Sequence, residues 1–363
     1  HLRRLLRDRR VNAPVRLSHE VTPFDPGDAG ALRALEGFVA EQGASLFHLP
    51  AWLMAVEAGT GQRAGGFIAR QMGVVTGWLP LTEVRSMLFG KALVSSGFGV
   101  GGGICADHPE AARALAKAAE GHARVQGFAT IELRGGSIPD GWEQWSDRHC
   151  GFARTLAADD EAELLAIPRK ARAEVRKGLA FGLTVTTGRS ARDRAAHYAC
   201  YSASVRNLGT PVFPRRLFSA MLEAFPEASD ILTVWRGEEP LASVLSFYHG
   251  GAVMPFWGGG TFAARAARAN EVMYYELMGH ARRRGMTRFD FGRSKTGSGP
   301  YHFKKNWGFV PEPLTYGAWT APGAAARNID PTDAGYSRKI ALWKKLPLPV
   351  ANLIGPVIAR GLA

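Results

Sequence analysis

Residues His122-Ala123-Arg124-Val125-Gln126-Gly127 lead into Phe128-Ala129-Thr130-Ile131-Glu132-Leu133. At a constant offset of 158 (280 less 122), His280-Ala281-Arg282-Arg283-Arg284-Gly285 lead into Met286-Thr287-Arg288-Phe289-Asp290-Phe291. Each stretch reads as the end of a helix, a glycine stop and the start of a strand. Upstream, Gly101-Gly102-Gly103 precedes His122 by 19 residues (122 less 103), and Gly258-Gly259-Gly260 precedes His280 by 20 (280 less 260). The chain therefore repeats one order of elements: strand, glycine cluster, helix, strand.

Periodicity supports the duplication. Between Pro109 and Gln126, Ala112, Leu115, Ala116 and Ala119 recur at helical spacing, as do Val272, Met273, Leu277 and Ala281 between Asn270 and Arg284. Before each glycine cluster lie strand-like runs, GGFIARQ and VVTGWLPL in the first half, ILTVWRG, LASVLSFY and AVMPFW in the second. The expected fold is α/β (α+β): two similar domains, each a mixed central sheet flanked by helices. The expected division is a basic segment over 1–14, a first domain over 15–155, a second over 156–330 and a basic, apolar tail over 331–363. Helices are also predicted near Ala191 to Asn207 and Arg215 to Phe225.

A chain of 363 residues is long enough for two ordinary cores at roughly 100 to 200 residues per domain. With 46% apolar and 21% charged residues, disorder is excluded. The net charge of +13 points to an anionic partner: nucleic acid, anionic lipid or a phosphorylated substrate. Cys105, Cys150 and Cys200 follow neither metal-ligand nor disulfide-framework spacing, so a reducing, cytoplasmic location is expected. The opening HLRRLLRDRR lacks the apolar core of a secretory signal, and the missing Met is read as a trimmed start. Pro240 to Ala264 carries no charge for 25 residues, but its glycines and alternation predict a buried pair of strands and not a membrane span.

Three constellations carry candidate chemistry. Arg169, Arg172 and Arg176 share one face of a predicted helix, with Lys177 beside them; that face suits phosphates, or is simply solvated. Phe289-Asp290-Phe291-Gly292-Arg293-Ser294-Lys295 runs into a Gly and Ser-rich loop whose amides, with Lys295, could cradle an anion, although the order is not that of a Walker A loop. In Tyr301-His302-Phe303-Lys304-Lys305-Asn306-Trp307, Phe303 and Trp307 lie one turn apart and should pack inward, leaving a lysine exposed. The pair His149-Cys150 is set aside as a nucleophile, because neighbours on a strand face opposite sides. In the tail, WKKLPLPVANLIGPVIAR joins lysines to an apolar run with three prolines; it reads as a segment folded on the second domain, or as a surface contact with an anionic membrane.

The segments PRKARAEVRKGL, RNLGTPVFPRRLF, GGGTFAARAARANEVMYYELMGHARRRGMTRFDFGRSK and YHFKKNWGF resemble the Fem-type N-acyltransferases, over about residues 30 to 320. The combination of FDFGRSK, FKKNWGF and LPLPVANLIGP looks closest to the branch associated with exosortase and exopolysaccharide systems. The resemblance implies two GCN5-related N-acyltransferase (GNAT) folds in tandem, and attack of a neutral amine on an activated acyl carbon. It places Lys304 at the transfer point, with neighbouring Lys305 as the alternative. It places Trp257 before the glycine cluster, and Arg215, or alternatively Arg206, in a basic substrate contact; Phe218 stands where the family usually has Tyr. Asp290 is assigned as a proton acceptor, or as a structural partner of Arg288 or Arg293.

Catalysis is thus expected from Lys304 and Asp290, and substrate binding from Arg172, Arg176, Lys177, Arg206, Arg215, Trp257, Tyr274, Arg293, Lys295, Tyr301 and Lys305. The first domain, whose glycine cluster lacks comparable lysines nearby, is expected to be structural. No metal and no tightly bound cofactor are expected. The acyl donor is either aminoacyl-tRNA or acyl-CoA: the place of the CoA glycine loop reads Arg265-Ala266-Ala267-Arg268-Ala269-Asn270, and a tRNA-binding coiled coil is missing. The expected acceptor is an amine on a phosphorylated or lipid-linked envelope or exopolysaccharide precursor, with peripheral contact at the inner face of the membrane. The alternatives are an acyl-CoA-dependent enzyme acting on a soluble amine, and a basic scaffold for anionic polymer or membrane.

Overall fold

A computed structural model of the chain describes residues 18–327 and 334–363. The expected basic segment over 1–14 and the start of the tail lie outside the described residues. Two mixed sheets form the framework. The first runs in the order Glu20–Pro23, Arg63–Gln71, Val74–Ser86, Gly90–Ser95, Thr130–Arg134, Tyr316–Thr320, Glu143–Trp145. The second runs Pro311–Pro313, His149–Thr155, Arg288–Lys295, Ala252–Gly260, Glu239–His249, Ser229–Arg236, Thr184–Gly188. Each of these orders contains one parallel pair, Gly90–Ser95 with Thr130–Arg134 and Ala252–Gly260 with Arg288–Lys295. Parallel neighbours need a crossover, and in each half it carries the long helix, Pro109–Gln126 or Ala269–Arg283.

The repeated histidine has the same task in both halves. His122 Nε2 lies 2.8 Å from Glu83 Oε1, and His280 Nε2 lies 2.8 Å from Asp230 Oδ2, each tying the crossover helix to a strand of its sheet. Tyr248 and Arg284 complete the second cluster, both bonding the Asp230 carboxylate. Gly127 (φ 72°) and Gly285 (φ 83°) then turn the chain through left-handed backbone, which glycine adopts without a Cβ clash.

The sheets exchange strands. His149–Thr155 follows the first half in sequence but pairs with Arg288–Lys295, Lys295 opposite His149 and Arg288 opposite Thr155. Tyr316–Thr320 follows the second half but pairs with Thr130–Arg134, Tyr316 opposite Arg134. A division at 155/156 therefore puts each of these strands with the wrong sheet. Alternation identifies a strand but not its partner, and here each partner lies more than a hundred residues away.

A shared aromatic core seals the halves. Trp52, fully buried, contacts Phe47 of its own half and Phe225, Phe247, Phe256 and Trp257 of the other. Such ring pairs each add about 0.5–1.5 kcal/mol beyond their burial. Helix Pro50–Thr60 meets helix Arg215–Ala224 at Gly59, where a Cβ would stand 2.4 Å from Leu217 Cα. The uncharged stretch is a hairpin, Glu239–His249 and Ala252–Gly260, turned by Gly250 and Gly251. Among the described residues no helix is long and apolar enough to cross a membrane. The tail forms helices Ala334–Lys345 and Leu348–Ala359, both resting on helix Ala191–Leu208.

Candidate functional site

The two parallel strands of the second sheet pair only at Ala252 with Arg288 and Val253 with Phe289, then part. Both are bent by their own residues. Pro255, which has no N–H to give a ladder, stands opposite Ser246, and the register slips before Trp257. Across the gap the register with His149–Thr155 breaks between Asp290 and Arg293; there Gly292 (φ 72°) gives its N–H to Asp290 Oδ1 at 2.9 Å. The equivalent strands of the first half stay paired from Ala92 with Thr130 to Ser95 with Leu133. Beyond them Gly103 N donates to Arg134 O, and Ile104 bridges Gly136. One sheet is open at this point and its counterpart is closed.

The opening is a pocket of about 400 Å³. Pro255 to Gly258 and Phe291 to Ser294 form two sides, Phe98 to Val100 with Arg134 close it from the first half, and Leu362 and Ala363 approach from the tail. Three cations line it: Lys304, Arg293 and Arg134. Lys304, 8% exposed, sits on helix Gly299–Asn306 and donates from Nζ to Arg293 O at 3.1 Å, above the rings of Phe291 and Phe152. Desolvation holds its ammonium pKa down to about 8; Asp290 opposes the shift and Arg293 adds to it. Arg293 donates to Tyr316 Oη at 3.1 Å, and that hydroxyl donates to Val100 O at 2.6 Å, so the exchanged strand links both halves to the pocket. Arg134 is fixed by Glu132 (3.0 Å) and Gly99 O (2.7 Å). Ser294 also lines the pocket, and its buried Oγ has no hydrogen-bond partner among the described residues.

Of the residues expected from sequence, Lys304, Arg293, Trp257 and Tyr274 meet here. Trp257 is held by the aromatic core, and its carbonyl is 2.8 Å from His197 Nε2. Tyr274 stacks edge-on against Phe291, and burial, with Glu271 behind it, pushes its hydroxyl up to about 12. Lys305 is exposed and lies over the Tyr301 ring, so the two adjacent lysines have different surroundings. Tyr301 packs on Phe152, and Lys295 ends the strand opposite His149; neither lines the pocket. Asp290 stands behind the lining, its carboxyl raised by burial, and forms an ion pair with neither Arg288 nor Arg293.

The remaining basic residues lie elsewhere. Arg215 is exposed, its guanidinium 4.1 Å above the Tyr198 ring, and Arg206 donates to the tail at Lys344 O. Arg172 donates to Leu165 O, Arg176 is exposed, and Lys177 pairs with Glu174 at 2.7 Å. Helical spacing groups Arg169, Arg172 and Arg176 but does not say what that face looks at; Lys177 instead lines a separate hollow of about 270 Å³ with Phe181 and Arg268. Sequence reasoning missed Arg134 and Tyr316. A signal existed for the first: Arg134 directly follows the repeated Ile131-Glu132-Leu133, as Arg293 follows Phe289-Asp290-Phe291-Gly292.

Residues 168–305 match the family model described as an acetyltransferase (GNAT) domain. No curated protein matches the chain by sequence. Among solved structures, FemX aligns at 16% identity over 82% of this chain and 96% of that one, with a TM-score of 0.62. A tandem GNAT protein from the clavulanic acid biosynthesis pathway aligns at 13% identity over 85% and 100%, TM-score 0.56. L-PGS from Bacillus licheniformis aligns at 14% identity over 92% and 96%, TM-score 0.51. Residues 168–305 are thus similar to a GNAT-type acetyltransferase domain, and the chain as a whole is a mixed α/β fold of two GNAT-like domains in tandem.

Proposed function

We propose that the protein is an N-acyltransferase working in the pocket between the parted strands, on an amine of a phosphorylated or lipid-linked cell-envelope or exopolysaccharide precursor. The observation that carries this reading is the cationic pocket itself: Lys304, Arg293 and Arg134 converge where only the second sheet opens. A neutral amine attacks the acyl carbon, a C–N bond forms, and the bond to the donor's oxygen or sulfur breaks. The tetrahedral oxyanion needs positive charge in a site poor in water, which Lys304, protonated below about pH 8, supplies. Tyr274, kept protonated by burial, is suited to donating a hydrogen bond to the leaving oxygen or sulfur, which takes its proton from solvent as the amine gives its own up there. We assign no step to Asp290.

The donor follows one of two readings. The hollow lined by Lys177 and Arg268, which share Glu174 as an ion-pair partner, lies at the amino end of helix Ala269–Arg283, where the helix dipole favours phosphate, and this favours acyl-CoA. Aminoacyl-tRNA is the other. Mass spectrometry after incubation with acetyl-CoA or charged tRNA and a set of amine acceptors tests both. Acyl transfer from one donor, lost in Lys304→Ala, is the expected result. Transfer from neither, with salt-sensitive binding of anionic polymer, would leave the scaffold reading in its place.

A further inference from the structure

Helix Leu348–Ala359 presents its side chains in an inverted arrangement. Its small residues Ala351, Gly355 and Ala359, at four-residue steps, are buried, and Gly355 packs against Val212 and Trp343. Its large aliphatic residues face out: Leu353 is 76% exposed and Val357 64%, with Val350 and Ile354 beside them on the same face. Leu342 of the preceding helix, 67% exposed, adds to the apolar surface. A helix adapted to water alone turns its large apolar residues inward, so this face is built to be covered.

The surrounding charge indicates what covers it. Residues 334–363 contain Arg338, Lys339, Lys344, Lys345 and Arg360 and no acidic residue. Helix Leu348–Ala359 itself carries no charge, and the exposed face has neither aromatic rings nor hydrogen-bonding side chains, the groups that usually anchor a protein partner. An aliphatic stripe flanked by cations of one sign matches the boundary between acyl chains and anionic headgroups. No described helix is both long and apolar enough to span a bilayer, so the contact inferred is one of lying on the surface.

We infer that the tail face formed by Leu342, Val350, Leu353, Ile354 and Val357 docks on an anionic bilayer surface, with Lys344 and Lys345 at the headgroups. Three residues after the helix ends at Ala359, Leu362 lines the pocket that holds Lys304. Docking therefore brings the pocket to the membrane, where a lipid-linked acceptor resides; that consequence rests on the proposed function, whereas the docking does not.

Flotation of the full chain with phosphatidylcholine vesicles, with and without phosphatidylglycerol, tests the docking. The expected result is binding to the phosphatidylglycerol vesicles that weakens as salt is raised. Leu353→Ser combined with Val357→Ser should lower it by roughly tenfold or more, and Lys344→Ala with Lys345→Ala by roughly tenfold, both with unchanged melting curves because these side chains are exposed. Absence of binding by the parent chain, or equal binding by the serine variant, overturns the inference. So does light scattering that shows a dimer which the serine variant converts to monomer, since a second copy then covers the face. Loss of acyl transfer with vesicle binding intact would count against the proposed function and leave the docking standing.

Discussion

Lys304 Nζ donates to the backbone carbonyl of Arg293 at 3.1 Å, and among the described residues no carboxylate lies within ion-pairing distance of it. A buried ammonium held by one neutral acceptor is costly, and its pKa near 8 against an ordinary 10.5 expresses that cost. Between those pH values the unfolded chain carries the proton and the folded chain does not, so the stability linked to this group rises with pH from about 8 to 10.5. Lys304→Met removes the charge and keeps the volume. Thermal melts at pH 7 should show a gain of about 1–2 kcal/mol after the lost hydrogen bond is offset, shrinking as the pH rises from about 8 to 10.5. Turnover should fall by roughly a hundredfold or more. A variant that is more stable yet fully active would remove Lys304 from the chemistry.

The parts of this arrangement that can be read in the sequence are those made by near neighbours along the chain. The repeat around His122 and His280 marks two crossover helices because each histidine and its glycine stop solve a local problem: tying a helix to its sheet and turning into the next strand. Lys304 is separable from Lys305 once Phe303 and Trp307 face inward, since the helix then carries one lysine into the pocket and leaves the other out. The strand exchange is not legible, because His149–Thr155 and Tyr316–Thr320 look the same whichever sheet takes them. Arg134 escapes for the same reason: it meets Arg293's surroundings only after that exchange, through Tyr316, Val100 and Gly99.

Arg134 provides a direct test of whether the first half takes part in binding. Its guanidinium is fixed by Glu132 and Gly99 O at the wall of the pocket. Arg134→Gln should raise KM for an anionic substrate by about tenfold or more, the scale of one charged hydrogen bond, and change kcat less. Because the variant leaves Glu132 without its closest cation, Arg134→Gln with Glu132→Gln is the matching control and should show the same KM. Steady-state kinetics that leave kcat/KM unchanged in both would restrict the site to the second half.

Gly59 sets how closely the halves approach. In Gly59→Ala the new methyl group would stand 2.4 Å from Leu217 Cα, and backbone on both sides leaves it no room. The loss should be at least about 2 kcal/mol, within the usual cost of overpacking, accompanied by weaker substrate binding as the pocket walls part. Gly121→Ala, in helix Pro109–Gln126 where nothing lies within 4 Å, should instead stabilise by about 0.5–1 kcal/mol. Urea melts of the pair separate a packing effect from the helix propensity of alanine.

Acid should unfold the protein through His197. Burial holds its imidazole near pKa 4, and the hydrogen bond to Trp257 O opposes that shift without cancelling it. As the pH drops below about 6.5, the unfolded chain takes up a proton that the folded chain refuses, so stability falls until about pH 4, by up to about 3 kcal/mol. His197→Gln keeps an N–H for the Trp257 carbonyl but cannot titrate. Denaturation midpoints measured from pH 7 to pH 4 should therefore fall less steeply in the variant than in the parent. Since Trp257 forms part of the pocket wall, acid inactivation of the parent should track this unfolding, and the glutamine variant should retain activity to lower pH. Parallel acid limbs in the two proteins would assign the proton to another group.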